Sequence, residues 1–466
     1  MTYHSTRGQA PILAFDDVLL SGLASDGGLY LPTVWPQFTA AEMRAMAGLS
    51  YSELAVRVMS PFLDGGIPEQ DFAEIVEATY KGFGHKAVAP LVQLGANDWL
   101  LELFHGPTLA FKDYALQLLG RLFDHVLAKR GERITIVGAT SGDTGSAAIE
   151  ACRDRAAIDI VILHPKGRTS EVQRRQMTSV LAKNVHNVAI DGSFDDCQDL
   201  VKAMFNDAAF RQSCNLSAVN SINWARILGQ IVYYFAAGIG LGAPEREIAF
   251  AVPTGNFGNV YAAVAARRLG LPIKELVVGS NRNDILTRFF ATGRMQSEAV
   301  VPTLSPSMDI QISSNFERYL FDLHKGDASL VVAQLGAFRQ SGQFAVEDHV
   351  WAEARALFDA KALDDAETIS AMKSLYEETG HLIDPHSAIG VAAGRARRRD
   401  ASVPMVALAT AHAAKFPDAV ERATGVRPQL PPRLADLLQR PERCDDLPND
   451  VAVVKAYVRN IAGVPA

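Results

Sequence analysis

Three times in this chain a β-rich run breaks at a glycine-containing turn and opens at once into a helical pattern. Residues 99–104 (Trp-Leu-Leu-Glu-Leu-Phe) end at Gly106 and Pro107, and Tyr114, Leu116, Leu118, Leu119, Leu122 and Phe123 follow at helical spacing. Residues 134–137 lead through Gly138-Ala139-Thr140-Ser141-Gly142-Asp143-Thr144-Gly145 into a helix over 146–152. Residues 248–252 lead through Pro253-Thr254-Gly255-Asn256-Phe257-Gly258-Asn259 into a helix over 260–268. A strand followed by a helix rejoins its sheet by a crossover, so such units build mostly parallel sheets covered by helices. Further strands are expected at 158–163, Val185–Ile190, 275–279 and Met405–Ala409, and a basic helix around 172–180. The predicted class is α/β.

A chain of 466 residues exceeds what one core usually supports. The pattern divides it into a largely helical lead-in (1–90), an α/β domain (91–240) and a second α/β domain (241–466). The last carries a mainly helical insertion about 303–381 and a surface-wrapping tail with Pro428, Pro431, Pro432 and Pro441. A net charge of -7 gives no reason to expect nucleic acid or an anionic membrane as partner. The chain has no apolar run long enough to span a bilayer, and its first residues lack the apolar core of a signal peptide. The four cysteines show no CxxC spacing and the eleven histidines no HExxH, which excludes an obvious metal site and favours reduced thiols in the cytoplasm.

Lys112 opens the first of the three helices, the end where the macrodipole disfavours a cation. Among Leu109, Ala110 and Phe111 its amine is expected to be pushed toward the neutral form that makes a Schiff base. A solvated lysine at a helix start fits the same pattern. The PTGNFGN turn aims small-residue amides and a helix N-terminus at one point, with Asn256 and Asn259 as side-chain donors, which suits a phosphate. It is no nucleoside-triphosphate loop, since GxxxxGK[ST] is absent. The GATSGDTG turn lacks the GxGxxG spacing and the acidic partner of a nicotinamide site. Ser141 and Thr144 there suit a carboxylate, with Asp143 expected to cap the helix. Arg226, one turn into a helix opened by Asn220-Ser221-Ile222-Asn223-Trp224, suits a second phosphate, though an ordinary surface arginine reads the same way. The basic group Lys166, Arg168, Arg174 and Arg175 reads as a solvated face or a domain contact. An amine-binding aldehyde plus a phosphate describes pyridoxal phosphate, and Thr410 after strand Met405–Ala409 offers its ring nitrogen a neutral hydroxyl. His412 is equally a helix cap.

The segments SDGGLYLP, HGPTLAFKD, GATSGDTG, PKGRTSEVQRRQM, NSINWAR, PTGNFGN and ATAHAAKFP occur in this order. Together they resemble the threonine synthases of the longer microbial and fungal type. The resemblance implies the tryptophan-synthase-β-like fold of fold-type II pyridoxal-phosphate enzymes, with two α/β domains and the cofactor in a cleft between them. It implies a carbon–oxygen lyase turning O-phospho-L-homoserine and water into L-threonine and phosphate, and it favours a monomer. Residue by residue, Lys112 is the cofactor lysine and proton carrier. Gly255, Asn256, Phe257, Gly258 and Asn259 hold the cofactor phosphate, and Thr410 the ring nitrogen. Ser141 and Thr144 take the substrate carboxylate, Asn223 and Arg226 its phosphate. A dehydratase of the same fold and a non-catalytic binding relative are the alternatives. Asp143 and the asparagines and Phe257 of the phosphate turn depart from the dehydratase pattern.

Overall fold

Strands Ile248–Pro253 and Met405–Ala409 are buried along their whole length, as strands covered by helices on both faces must be. They sit side by side at the centre of a six-stranded sheet, with Ala249 opposite Met405 and Ala251 opposite Ala407 in parallel register. Outward from Ile248–Pro253 lie Ile273–Ser280 and Phe358–Ala362, and outward from Met405–Ala409 lie Asp98–Glu102 and Leu91–Gly95. All pairs are parallel except the hairpin of the last two strands. Residues 303–381 are mainly helical and also carry two strands: Phe358–Ala362 is a sheet edge, and Gln343–Ala345 pairs with Arg294–Gln296. Phe358 is buried while the side chains of Asp359 and Lys361 are only partly covered, an alternation suited to an edge strand.

A second sheet is wholly parallel, in the order Asp445–Leu447, Val185–Ile190, Ile158–Pro165, Ile134–Ala139 and Leu216–Ser217. Its core joins Val161, Leu163 and Val188 to Met204 and, from the C-terminal helix Val451–Ile461, to Val454 and Val458. The tail therefore completes a sheet as well as crossing the surface. The basic group holds it there. Lys166 pairs with Asp446 at 2.7 Å, and Arg174 and Arg175 both pair with Glu442.

The lead-in carries strands as well as helices. Thr2–Ser5 pairs antiparallel with Leu13–Ala14 and Tyr30–Pro32. The Ser25-Asp26-Gly27-Gly28 turn is held by the Asp26 carboxylate, which accepts from Ser5 Oγ and from the amides of Gln9, Ala10 and Gly28. Those bonds hold Asp26 below the ordinary carboxylate range against the opposing pull of burial.

The computed structural model describes residues 1–464. They segregate into two compact units, one made of 1–18, 23–111 and 221–428, the other of 19–22, 112–220 and 429–464. These units cut across the sequence segments 1–90, 91–240 and 241–466. Strand Asp98–Glu102 hydrogen-bonds into a sheet built mainly from residues beyond 248, and the C-terminal tail returns to the second unit. Among the described residues no helix is long and apolar enough to cross a membrane, and no cluster of His, Cys, Asp and Glu suits a metal.

Candidate active site

In parallel α/β sheets ligands gather at the carboxyl ends of the strands. Three neighbouring strands of the six-stranded sheet send out candidate segments there: Ile248–Pro253 runs into the PTGNFGN turn, Met405–Ala409 into Thr410, and Asp98–Glu102 into the loop that ends at Phe111. That loop is stapled to the strand beside it. Leu103 N–H donates to Ala409 O, Phe111 N–H to Thr410 O at 2.9 Å and His412 N–H to Leu109 O at 3.0 Å. The buried Lys415 adds a 2.7 Å bond from Nζ to Thr108 O. Leu109 takes a left-handed backbone, φ 64°, and is fully buried, so tertiary contacts hold a conformation its side chain disfavours. Phe111 is covalently followed by Lys112.

Lys112 is the first residue of helix Lys112–Arg130, with Asp113 in the same turn to balance the dipole. Its Nζ lies 3.5 Å from Asp143 Oδ2, and both side chains are largely buried. The neighbours Leu109, Ala110 and Phe111 are therefore not the whole of its surroundings: a carboxylate faces the amine, and a carboxylate favours the charged form. Asp143 is correspondingly not the helix cap. The cap of helix Asp143–Cys152 is Gly142, without a side-chain bond, and Asp143 Oδ1 instead accepts from Gln173 Nε2 at 2.9 Å. Gly142 has φ +145°, and a Cβ there would lie 2.4 Å from Gln173 Cδ, so glycine is what lets Gln173 reach Asp143. Thr140 Oγ1 accepts from the amides of Gly142 and Gly145 and braces the turn. Ser141 and Thr144 are half-buried in it.

Phe257 caps helix Gly258–Arg268 in a left-handed conformation, φ 59°. Its ring is buried against Phe316, Tyr319 and Phe358, so it serves the turn through its backbone while the ring anchors it. Asn256 is used internally: Nδ2 donates to Ser221 Oγ and Oδ1 accepts from Ser314 N–H. Asn259 differs. Its Oδ1 accepts from the hydroxyls of Tyr233 and Tyr234 at 2.6 and 2.7 Å, and its Nδ2 is buried with no hydrogen-bond partner in the structure. A helix N-terminus plus an unsatisfied buried donor fits a phosphate.

Asn223 caps helix Trp224–Gly240, accepting from Ala225 N–H at 2.9 Å. Trp224 is core, packed on Tyr3, Trp35 and Phe62. Arg226 is 4% exposed, yet its Nε and Nη1 have no partner in the protein. Desolvation pushes its pKa down to about 10. Arg318 makes the contrast. Equally buried, it spends its donors on Tyr30 O, Ile222 O and Asn315 Oδ1. Asn315 in turn donates to Ser221 O and Asn256 O, so this pair ties the NSINWAR and PTGNFGN loops together. From Arg226 O the bonds run on through Gln230 and Tyr233 to Asn259.

Thr410 is buried and bracketed by its backbone, N–H to Ser387 Oγ at 3.0 Å and O from Phe111 N–H. His412 caps the short turn Ala413–Lys415 through Nδ1. The first unit thus contains Asn223, Arg226, the PTGNFGN turn and Thr410, and the second contains Lys112, Ser141, Asp143 and Thr144. Gln173, Tyr233, Tyr234, Asn315 and Ser387 were not expected from the sequence. Their side chains serve loops remote in the chain, and no local pattern marks them.

The comparisons with known proteins agree along the chain. Residues 2–80 match the family model for the threonine synthase N terminus, 85–358 that for pyridoxal-phosphate-dependent enzymes, and 387–458 that for the threonine synthase C-terminal region. A threonine synthase of Pseudomonas aeruginosa is 60% identical over 459 residues, covering 98% of each chain. The crystal structure of the pyridoxal-phosphate-bound threonine synthase from Brucella melitensis superposes with TM-score 0.97 at 55% identity, covering 99% of each chain. That of the yeast threonine synthase superposes with TM-score 0.94 at 38% identity, also covering 99% of each.

Proposed function

The chain belongs to the threonine synthase family, and from that premise we propose how its own residues convert O-phospho-L-homoserine and water into L-threonine and phosphate. The fold is that of the fold-type II pyridoxal-phosphate enzymes, and pyridoxal phosphate is the cofactor. When bound, it supplies an aldehyde for an amine and a conjugated ring that accepts electron pairs from carbon.

Lys112 holds the cofactor in the resting enzyme. The turn Gly255, Asn256, Phe257, Gly258 and Asn259 receives its phosphate, with Asn259 Nδ2 as the side-chain donor, and Thr410 serves the ring nitrogen. Once the substrate amine replaces it, the Lys112 amine removes the proton at Cα, then one at Cβ, and returns protons at Cγ and Cα. Asp143, fixed by Gln173, orients that amine between transfers. Ser141 and Thr144 take the substrate carboxylate.

Arg226, on the helix capped by Asn223, binds the substrate phosphate and stabilises the charge it carries away from Cγ. Water then adds at Cβ. One observation supports this assignment above the others: a buried guanidinium whose Nε and Nη1 find no partner in the protein. A charge in that state needs an anion from outside.

The test is a product assay on the holoenzyme. Phosphohomoserine is expected to yield equimolar phosphate and threonine, and Lys112→Ala to abolish both the visible cofactor absorbance and turnover. Oxo acid from serine or threonine with no phosphate release would assign a dehydratase instead.

A further inference from the structure

Helix Pro385–Arg397 begins with Asp384, whose carboxylate is fully buried and accepts at both oxygens. Oδ1 takes the His386 amide at 2.9 Å and His386 Nδ1 at 2.7 Å; Oδ2 takes the Ser387 amide at 3.3 Å and the Ser387 hydroxyl. A carboxylate only accepts, so the Ser387 proton points to Asp384 and His386 carries its proton on Nδ1. The Ser387 lone pair is thereby turned to the Thr410 N–H, 3.0 Å away. His386 Nε2 accepts from Ser307 N–H at 3.2 Å. Thr410 O in turn accepts from Phe111 N–H, the residue before Lys112.

We propose that Asp384, His386 and Ser387 form a buried positioning relay that sets Thr410 and, through the Thr410 carbonyl, the loop that ends at Lys112. The inference rests on the assignment of Thr410 to the cofactor ring. Every hydrogen in the relay has one direction, because a carboxylate ends it on one side and backbone amides on the other. An N-cap alone does not require this. Asparagine caps a helix as well as aspartate does. Asparagine at 384 would, however, present an NH₂ either to the His386 Nδ1–H or to the Ser387 hydroxyl. In the second case the serine hydroxyl receives a donor where it had an acceptor, its own proton loses the carboxylate that held it, and nothing then aims the lone pair at the Thr410 N–H.

The experiment titrates apoenzyme with pyridoxal phosphate, reading the visible absorbance, and measures kcat and KM of the reloaded enzyme. Asp384→Asn and Ser387→Ala are expected to weaken cofactor binding about tenfold or more. They should also lower kcat while KM for phosphohomoserine stays within about twofold, since uniform substrate binding is untouched. Ser387→Thr keeps the hydroxyl and is expected to restore most of the loss.

Wild-type cofactor affinity and kcat in Asp384→Asn would reduce Asp384 to a cap and overturn the relay. Should that variant not fold, Ser387→Ala decides, since it keeps the amide bond to the cap. Thr410→Ala separates the premises. If it leaves affinity and absorbance maximum unchanged, the Thr410 assignment fails; if it alters them while Asp384→Asn and Ser387→Ala do not, only the relay fails.

Discussion

Replacing Arg226 by methionine should make the substrate-free holoenzyme more stable. The guanidinium is buried with Nε and Nη1 unpartnered, and burial pushes its pKa down to about 10. At 1.36 kcal/mol per tenfold in proton affinity, the fall from a free arginine's value corresponds to about 3 kcal/mol of cost to the charged, folded form. Counting donors independently gives a similar figure, since an unsatisfied buried donor costs about 1–3 kcal/mol. The sign follows from linkage. A base whose pKa is depressed on folding penalises the fold at every pH below the folded value, here about 10, and the penalty fades as pH rises through it. A denaturation experiment at about pH 7 therefore reads all of it.

Methionine has similar reach and no charge, so Arg226→Met should gain up to about 3 kcal/mol, less whatever packing is lost. The same variant should lose its response to anions. Inorganic phosphate at about 100 times its dissociation constant stabilises a binding protein by about 2.7 kcal/mol. The wild-type holoenzyme should show such a gain and Arg226→Met none. A variant less stable than wild type in phosphate-free buffer, or one stabilised by phosphate to the wild-type extent, would show that the Arg226 guanidinium is neither a burden to the fold nor an anion site.

Three further outcomes can be measured. Asp143→Asn keeps the size of the side chain that Gln173 holds but removes the charge facing Lys112; phosphate release should slow by about a hundredfold with the visible absorbance retained. Equal rates would show that the carboxylate does not assist the amine. Asn259→Ala removes the unpaired Nδ2 and also the acceptor shared by Tyr233 and Tyr234, so cofactor affinity in an equilibrium titration should drop about tenfold or more. Gly120→Ala places a Cβ 2.3 Å from the Ala151 carbonyl oxygen, where one helix backbone abuts another. Unfolding should become easier by about 3 kcal/mol, and an unchanged denaturation midpoint would show that helix Asp143–Cys152 shifts freely.

Most of the strands and the site-bearing turns were legible in the linear chain because their signals are local. Val185–Ile190 and Met405–Ala409 match the expected strands residue for residue, and Ile158–Pro165 only extends the run seen at 158–163. What failed was equally physical. Phe358-Asp359-Ala360-Lys361-Ala362 carries the polar alternation of an edge strand, which resembles an exposed helix segment until a neighbour supplies the ladder. Asp143 occupies the sequence position of a cap, but the cap is Gly142 and the carboxylate turns to Lys112 and Gln173.

The α/β class, the glycine turns that suit anions and the lysine that opens a helix are all legible in the linear chain, since backbone reach, helix dipoles and residue chemistry act over a few positions. Tertiary structure alone decided which polar atoms remain unsatisfied. Asn256 and Asn259 are the same residue type in one turn, yet the first is consumed by Ser221 and Ser314 while the second keeps a buried donor open. Arg226 and Arg318 are both buried, yet only Arg318 finds carbonyls for its donors. Satisfaction depends on groups brought near by the sheet order and helix packing, and those neighbours lie up to hundreds of residues away in the chain.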